Sequence, residues 1–211
     1  MIVAIDGPAA SGKGTLARSL ASELSFAYMD TGKLYRRVAL IVVSNGGSVD
    51  NESDCLEAIK SIDLLNDQGQ KLYLEEIGLA ASKLASIPIV RKELLGYQRF
   101  FSKNPGKGYL GAILDGRDIG TIVCPDADKK IYVTADFEVR VNRRLKELKA
   151  KGEKVIDSEI NKDMLNRDKR DFERSISPLK PAQDAWILDT SLLNTKEALK
   201  FALNYIRYGT R

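Results

Sequence analysis

The stretch "GPAASGKGT", Gly7–Thr15, follows directly on the apolar run "MIVAID" and constrains the fold more than any other feature of the chain. The run reads as a buried strand over Ile2–Asp6, and Lys13–Leu24 reads as a helix with Leu16, Leu20 and Leu24 along one side. A strand, a glycine-rich turn and a helix in immediate succession gather orphan backbone N–H groups at the positive end of a helix dipole. Glycines at 7, 12 and 14 allow backbone conformations and close approaches that other residues forbid. Lys13 extends from the same loop and is of a length to reach the β- and γ-phosphates of a triphosphate. The residues Gly7, Pro8, Ala9, Ala10, Ser11, Gly12, Lys13, Gly14 and Thr15 are therefore a candidate nucleotide-triphosphate loop.

The rest of the chain continues the alternation. Strands are expected at Phe26–Met29, Gly111–Asp115, Lys130–Ala135 and Trp186–Thr190, and helices at Leu34–Ser44, Asp136–Lys149 and Thr195–Tyr208, the last with Thr195 as N-cap. Strands that alternate with helices predict an α/β fold with a five-stranded parallel sheet flanked by helices. Two stretches depart from the pattern. Residues 45–75 are polar and turn-rich and read as an excursion from the sheet, and residues 149–158, "KAKGEKVIDS", read as a charged flap between two helices.

Composition removes several chemistries. The chain has no histidine, which excludes imidazole bases and histidine-ligated zinc. Cys55 and Cys124 have no metal-binding spacing and read as reduced thiols of a cytoplasmic protein. No apolar stretch approaches the roughly 20 residues of a membrane helix. The net charge of +4 is small, and residues 136–174 mix 12 basic with 10 acidic side chains. A nucleic-acid binder shows a stripe of one sign instead. A GTP-dependent switch would carry "NKxD"; the nearest string, "NKDM" at Asn161–Met164, lacks the aspartate in fourth place.

Gly14 occupies the position where a phosphate loop usually carries Ser or Thr, and the hydroxyl moves one place on to Thr15. Three constellations then offer an acceptor site. "MDTGKLYRR" supplies Asp30, Thr31, Tyr35 and Arg36 after the second strand, where parallel sheets bind ligands. "LDGRDIGT" ends a buried strand in Asp115, Gly116, Arg117 and Asp118; Asp115 suits magnesium or its waters, and Arg117 with Asp118 is alternatively an ordinary salt bridge. In "NRDKRDFERS", Arg167, Asp171 and Arg174 at i, i+4 and i+7 share one helix face, with Arg170 at its margin and Leu165 and Phe172 on a neighbouring core stripe. Guanidinium forks beside a carboxylate suit phosphates and a ribose or base edge.

"GKGT" resembles the loop of the nucleoside monophosphate kinases. Together, "IDGPAASGKGT", "DTGKLYR", "LDGRDIGT…PDADKKIYV" and "RDKRDFERSISPLKPAQDAWILDTS" resemble the bacterial cytidylate kinases, in the same order and over nearly the whole chain. The resemblance implies a P-loop nucleoside monophosphate kinase fold over residues 1–211. Its core would comprise 1–44, 105–148 and 159–211, with a monophosphate-binding excursion at 45–104 and a lid at 149–158. It implies transfer of a phosphoryl group from ATP, with Mg²⁺, to CMP or dCMP. The expected partners are these small nucleotides only, with no nucleic acid and no membrane, and the expected state is a monomer.

Residue by residue, the resemblance puts Thr31, Tyr35 and Arg36 near the monophosphate and Ser82, Arg91, Asp118 and Arg174 at the cytosine ring, with Arg117 beside them. Arg167 and Asp171 would hold the sugar, and Arg140 and Arg144 would clamp the ATP phosphates. Lys13, Arg140, Arg144 and Arg167 would be catalytic, and Thr15 and Asp115 would serve the metal. The family often carries a fuller antiparallel insert over the monophosphate, which is reduced here to "LLNDQGQKLYLEEIGLAAS".

Overall fold

The computed structural model describes residues 1–62, 69–153 and 155–209; residues 63–68 of the expected excursion and Lys154 of the expected lid lie outside the described residues. The described chain divides into two compact units, Met1–Met29 with Ser102–Arg211, and Asp30–Phe101. The second unit begins earlier than the expected excursion and takes in the helix after the second strand.

In the first unit the strands β1 (Ile2–Asp6), β2 (Ala27–Asp30), β3 (Ala112–Gly116), β4 (Lys129–Thr134) and β5 (Trp186–Asp189) form one sheet in the order β2-β3-β1-β4-β5. β1 pairs in parallel with β3 and β4, and β4 with β5, so the first strand of the chain lies at the centre of the sheet. Val3, Ala4 and Ile5 are fully buried, as a strand covered on both faces requires. The helix α1 (Lys13–Leu24) turns Leu16 and Leu20 onto the sheet, where they meet Ile5, Ile113, Ile131, Val133 and Leu188. Leu24, expected on the same side, packs there only partly buried.

The second unit is helical. α2 (Thr31–Ser44) packs against α3 (Glu52–Lys60), α4 (Glu75–Leu84) and a 3-10 turn at Gly69–Tyr73. α3 lies within the stretch expected to be turns, because the Asn51 side chain accepts from the Ser53 and Asp54 amides and starts a helix there. α5 (Pro88–Lys103) follows. In the first unit, α6 (Phe137–Ala150) and α7 (Asp157–Glu173) flank the expected lid, and α8 (Thr195–Tyr208) returns to the core. The N-cap of α8 is Asn194 rather than Thr195: Asn194 and Glu197 form a reciprocal capping box, which Thr195 cannot make from inside the helix. Among the described residues no helix is long and apolar enough to cross a membrane.

Candidate active site

The order of the sheet brings the carboxyl ends of β1, β3 and β4 side by side, with Asp6 opposite Gly116 on one flank and Tyr132 on the other. The glycine loop leaves this edge. A side chain at Gly7 would overlap the Val133 carbonyl oxygen of β4, so only glycine lets the loop start so close to the sheet. The loop then turns through Ala10 and Gly12, both with positive φ, and Gly12 caps α1 through its backbone alone.

Two carbonyls of the loop are held from behind. Arg140 of α6 donates Nη1–H to Ala9 O at 3.2 Å. The Thr190 hydroxyl, just past β5, lies 2.9 Å from Ser11 O, and Arg143 reaches the same carbonyl at 3.4 Å. Because each peptide is a trans plane, a carbonyl held on one side turns the next N–H to the other. The Ala10 and Gly12 amides therefore face away from these braces, as an anion cradle needs. Lys13 lies folded over the loop, its Nζ donating to Pro8 O at 3.3 Å.

The structure accounts for the glycine after the lysine. A Cβ at Gly14 would stand 3.1 Å from Asp115 Oδ2 and 3.5 Å from Arg18 Nη1, so a larger side chain there would crowd the Asp115 carboxylate. Asp115 holds this position through the Tyr28 hydroxyl, which donates to its Oδ2 at 3.2 Å. Thr15 carries the displaced hydroxyl, which accepts from Arg18 Nη2 at 3.4 Å.

Arg117 and Asp118 pair with the α7 region rather than forming the alternative salt bridge with each other. Arg117 Nε donates to Asp171 Oδ2 at 2.8 Å, and Arg174 Nη2 stands 3.9 Å from Asp118 Oδ1. All four side chains are largely buried. Burial alone would raise the Asp171 carboxyl, but Arg117, Arg167 and Arg174 hold it below the usual carboxylate range. Burial likewise works against the Arg117 charge, and Asp171 more than offsets it.

α7 brings Asp168 and Asp171 inward with Ile160 and Met164. Leu165 and Phe172, expected on a core stripe, are exposed at 54% and 46%, because Ile160, Met164, Asp168 and Asp171 occupy the inward face. Arg174 lies one residue beyond the helix, as its C-cap.

Arg140 is buried and fully engaged with protein. It donates to Ala135 O and Ala9 O and pairs with Asp168 Oδ2 at 2.7 Å. Arg144 pairs with Glu147 at 3.0 Å. Arg143 and Thr190 were not found by sequence reasoning. Their contact spans 47 residues, with Arg143 donating to both Thr190 Oγ1 and Thr190 O, and only the position of Thr190 at a strand's carboxyl end could have pointed to it.

In the second unit, Thr31 opens α2, whose N-cap Asp30 accepts from the Lys33 amide at 3.3 Å. The Arg91 guanidinium lies 5.6 Å from the centre of the Tyr35 ring and donates to Ala85 O at 3.0 Å. Arg36 donates to Leu72 O at 2.9 Å and runs beside Gly78, where a side chain would collide with it. Thr31, Tyr35, Ser82 and Arg91 are all buried.

The comparisons agree with the geometry. The cytidylate kinase family model matches residues 3–208. The chain is 48% identical to the cytidylate kinase of Rhodospirillum rubrum, over 100% of this chain and 99% of that one. It is 49% identical to the cytidylate kinase of Paramagnetospirillum magneticum, over 97% of each. Among solved structures, a Thermus thermophilus protein superposes with a TM-score of 0.52 at 15% identity, over 100% of this chain and 98% of that one. An uncharacterized protein from Eubacterium ventriosum gives 0.53 at 15% identity, over 98% and 97%. Likeness at that identity shows the fold alone.

Proposed function

The chain belongs to the cytidylate kinase family, and from that premise we propose that it moves the γ-phosphoryl group of ATP onto CMP or dCMP, giving ADP and CDP or dCDP. The observation that carries the reading is the pairing of an anion-cradling loop with a buried arginine–carboxylate pocket in one unit. The acceptor is itself a phosphate oxyanion, so no general base is needed, in keeping with a chain that has no histidine. Catalysis then rests on in-line positioning and neutralisation of charge.

Lys13, Arg144 and Arg167 supply the neutralising cations. Arg140, with its three protein partners, is a positioning residue that holds the loop through Ala9. Asp118 accepts from the cytosine amino group, and Arg174, Ser82 and Arg91 donate to the ring acceptors. Asp171 and Arg167 hold the sugar hydroxyls, Arg117 sets Asp171 in place, and Thr31, Tyr35 and Arg36 take the monophosphate. The lid at 149–158 closes over ATP and excludes water as a competing acceptor.

Among the described residues no cluster of three or more acidic or thiol groups could cage a metal. That suits a magnesium ion that arrives with the nucleotide and keeps several waters. The Thr15 hydroxyl and the Asp115 carboxylate are the oxygen donors offered beside the loop. Bound there, the ion would offset charge on the phosphate oxygens. Two free buried thiols accord with a cytoplasmic setting, and we take the enzyme to act as a monomer.

An ADP-release assay across CMP, dCMP, UMP and AMP, with ATP and magnesium, tests the function. Turnover confined to AMP, or ATP binding without turnover of any monophosphate, would overturn it. Two substitutions test the roles. Asp118→Ala should weaken discrimination of CMP from UMP by roughly 1–3 kcal/mol, because uracil presents a carbonyl where cytosine has its amino group; unchanged selectivity would refute the contact. Thr190→Val keeps the shape and removes the hydroxyl that braces Ser11, so the KM for ATP should rise about fivefold while that for CMP holds. Equal changes in both KM values would show that the brace does not act through the donor loop.

A further inference from the structure

Asp6 ends β1 at 4% exposure, and the transfer described above makes no use of it. Its Oδ1 accepts from the Ile119 amide at 2.7 Å and its Oδ2 from the Gly120 amide at 2.8 Å. These amides open the π-helical turn Ile119–Val123, which follows directly on Arg117 and Asp118. An aspartate just before such a turn ordinarily caps it with its own side chain. Asp118 is in that place and makes no cap bond; its carboxylate lies toward Arg174 instead. The cap comes from a residue 113 positions away in sequence.

We propose that Asp6 is a positioning residue for acceptor selection: by capping the turn in place of Asp118, it keeps the Asp118 carboxylate directed to the acceptor base. The inference rests on the assignment of Asp118 as the reader of the cytosine amino group. Asp6 is also the residue before Gly7, so one side chain ties the start of the donor loop to the acceptor-reading turn.

The groups facing Asp6 give the cap a pH dependence. Asp118 opposes its charge and Arg117 favours it. Tyr132 lies opposite Asp6 on β4, and the Lys130 stem runs past Gly120, with its ammonium held on Asp184 at 2.8 Å. Burial outweighs the two amide bonds and pushes the Asp6 carboxyl up to about 7. The ionised form accepts both amides fully; protonation makes one oxygen a donor and weakens the cap. Selectivity for CMP should therefore fall as the pH drops through that value.

The test is initial-rate kinetics with CMP and with UMP at saturating ATP, for wild type, Asp6→Asn and Gly120→Ala. Asp6→Asn sets an amino group against an amide N–H, and the CMP:UMP ratio of kcat/KM should fall about tenfold, mainly through the KM for CMP, with the KM for ATP within about twofold. Gly120→Ala puts a methyl group 3.4 Å from Asp6 Oδ2 and 3.2 Å from the Lys130 stem, and should shift the ratio the same way by less. The wild-type ratio should fall between about pH 8 and about pH 6, while that of Asp6→Asn stays flat; ionisation of the substrate phosphate cancels in the ratio.

A lowered melting temperature and kcat with an unchanged ratio would show a merely structural role and overturn the inference. If Asp6→Asn does not fold by circular dichroism, Gly120→Ala and the wild-type pH profile decide, and an unchanged ratio in both overturns it. Wild type inert toward CMP overturns the acceptor assignment, and this inference with it. Wild type active on CMP, with selectivity indifferent to Asp6, overturns this inference alone.

Discussion

Lys13→Met is expected to lower kcat by about 10³-fold, roughly 4 kcal/mol of transition-state stabilisation, while CMP affinity stays near wild type. Lys13 is the first residue of α1, so its backbone is fixed by the helix and its stem by the loop. The ammonium donates across the loop to Pro8 O at 3.3 Å, a contact that a phosphate oxygen can replace or share. Phosphoryl transfer shifts negative charge within the triphosphate, and a fixed cation there stabilises the transition state more than the ground state. Methionine keeps a stem of similar length and removes only the charge, so α1 and its packing on the sheet should survive. Lys13→Arg should recover little, because a planar fork cannot stand in for a compact ammonium within the loop. Single-turnover rates with saturating ATP and CMP measure the effect; a loss of less than tenfold would remove Lys13 from the centre of the reaction.

The strand, glycine loop and helix of the candidate donor site were legible in the sequence because their determinants are local. A strand, a turn and a helix adjacent in the chain are adjacent in space, so Gly7–Thr15 could be read as a cradle before any tertiary contact was known. The candidate acceptor residues were legible only as residue types. The i, i+4 spacing placed Arg167 and Asp171 on one face of α7, yet the partner of Asp171 is Arg117, 54 residues away. No spacing rule announces such a choice. The same limit explains Leu165 and Phe172: the inward stripe of α7 is Ile160, Met164, Asp168 and Asp171, and only the fold shows that this stripe, not the neighbouring one, meets the rest of the unit. Asp6 is the extreme case. As the end of a buried strand it reads as part of the core, and only the approach of β3 and the turn beyond it reveals two amides waiting for a carboxylate.

Asp171→Ala should cost both stability and activity, and pH separates the two. Removing the carboxylate leaves the Arg117 guanidinium largely buried without its ion-pair partner, and takes the compensating charge from Arg167 and Arg174. Breaking such a pair costs about 3 kcal/mol, or a fall in melting temperature on the order of 10 °C for a chain of this size. Asp171→Asn retains an acceptor for Arg117 Nε and should lose less stability, while the KM for CMP should still rise if Asp171 holds the sugar as proposed. The folded carboxyl lies below its ordinary value of 3.8, so the folded state binds this proton less readily than the unfolded chain. The stability it contributes is complete above 3.8 and is lost as the pH falls through the folded value. The gap in melting temperature between wild type and Asp171→Ala should thus be constant from about pH 8 to about pH 5 and narrow only below the ordinary carboxylate value. A gap that closed by pH 5 would mean that Arg117 does not hold Asp171 ionised, and the sugar-binding role would lose its physical basis.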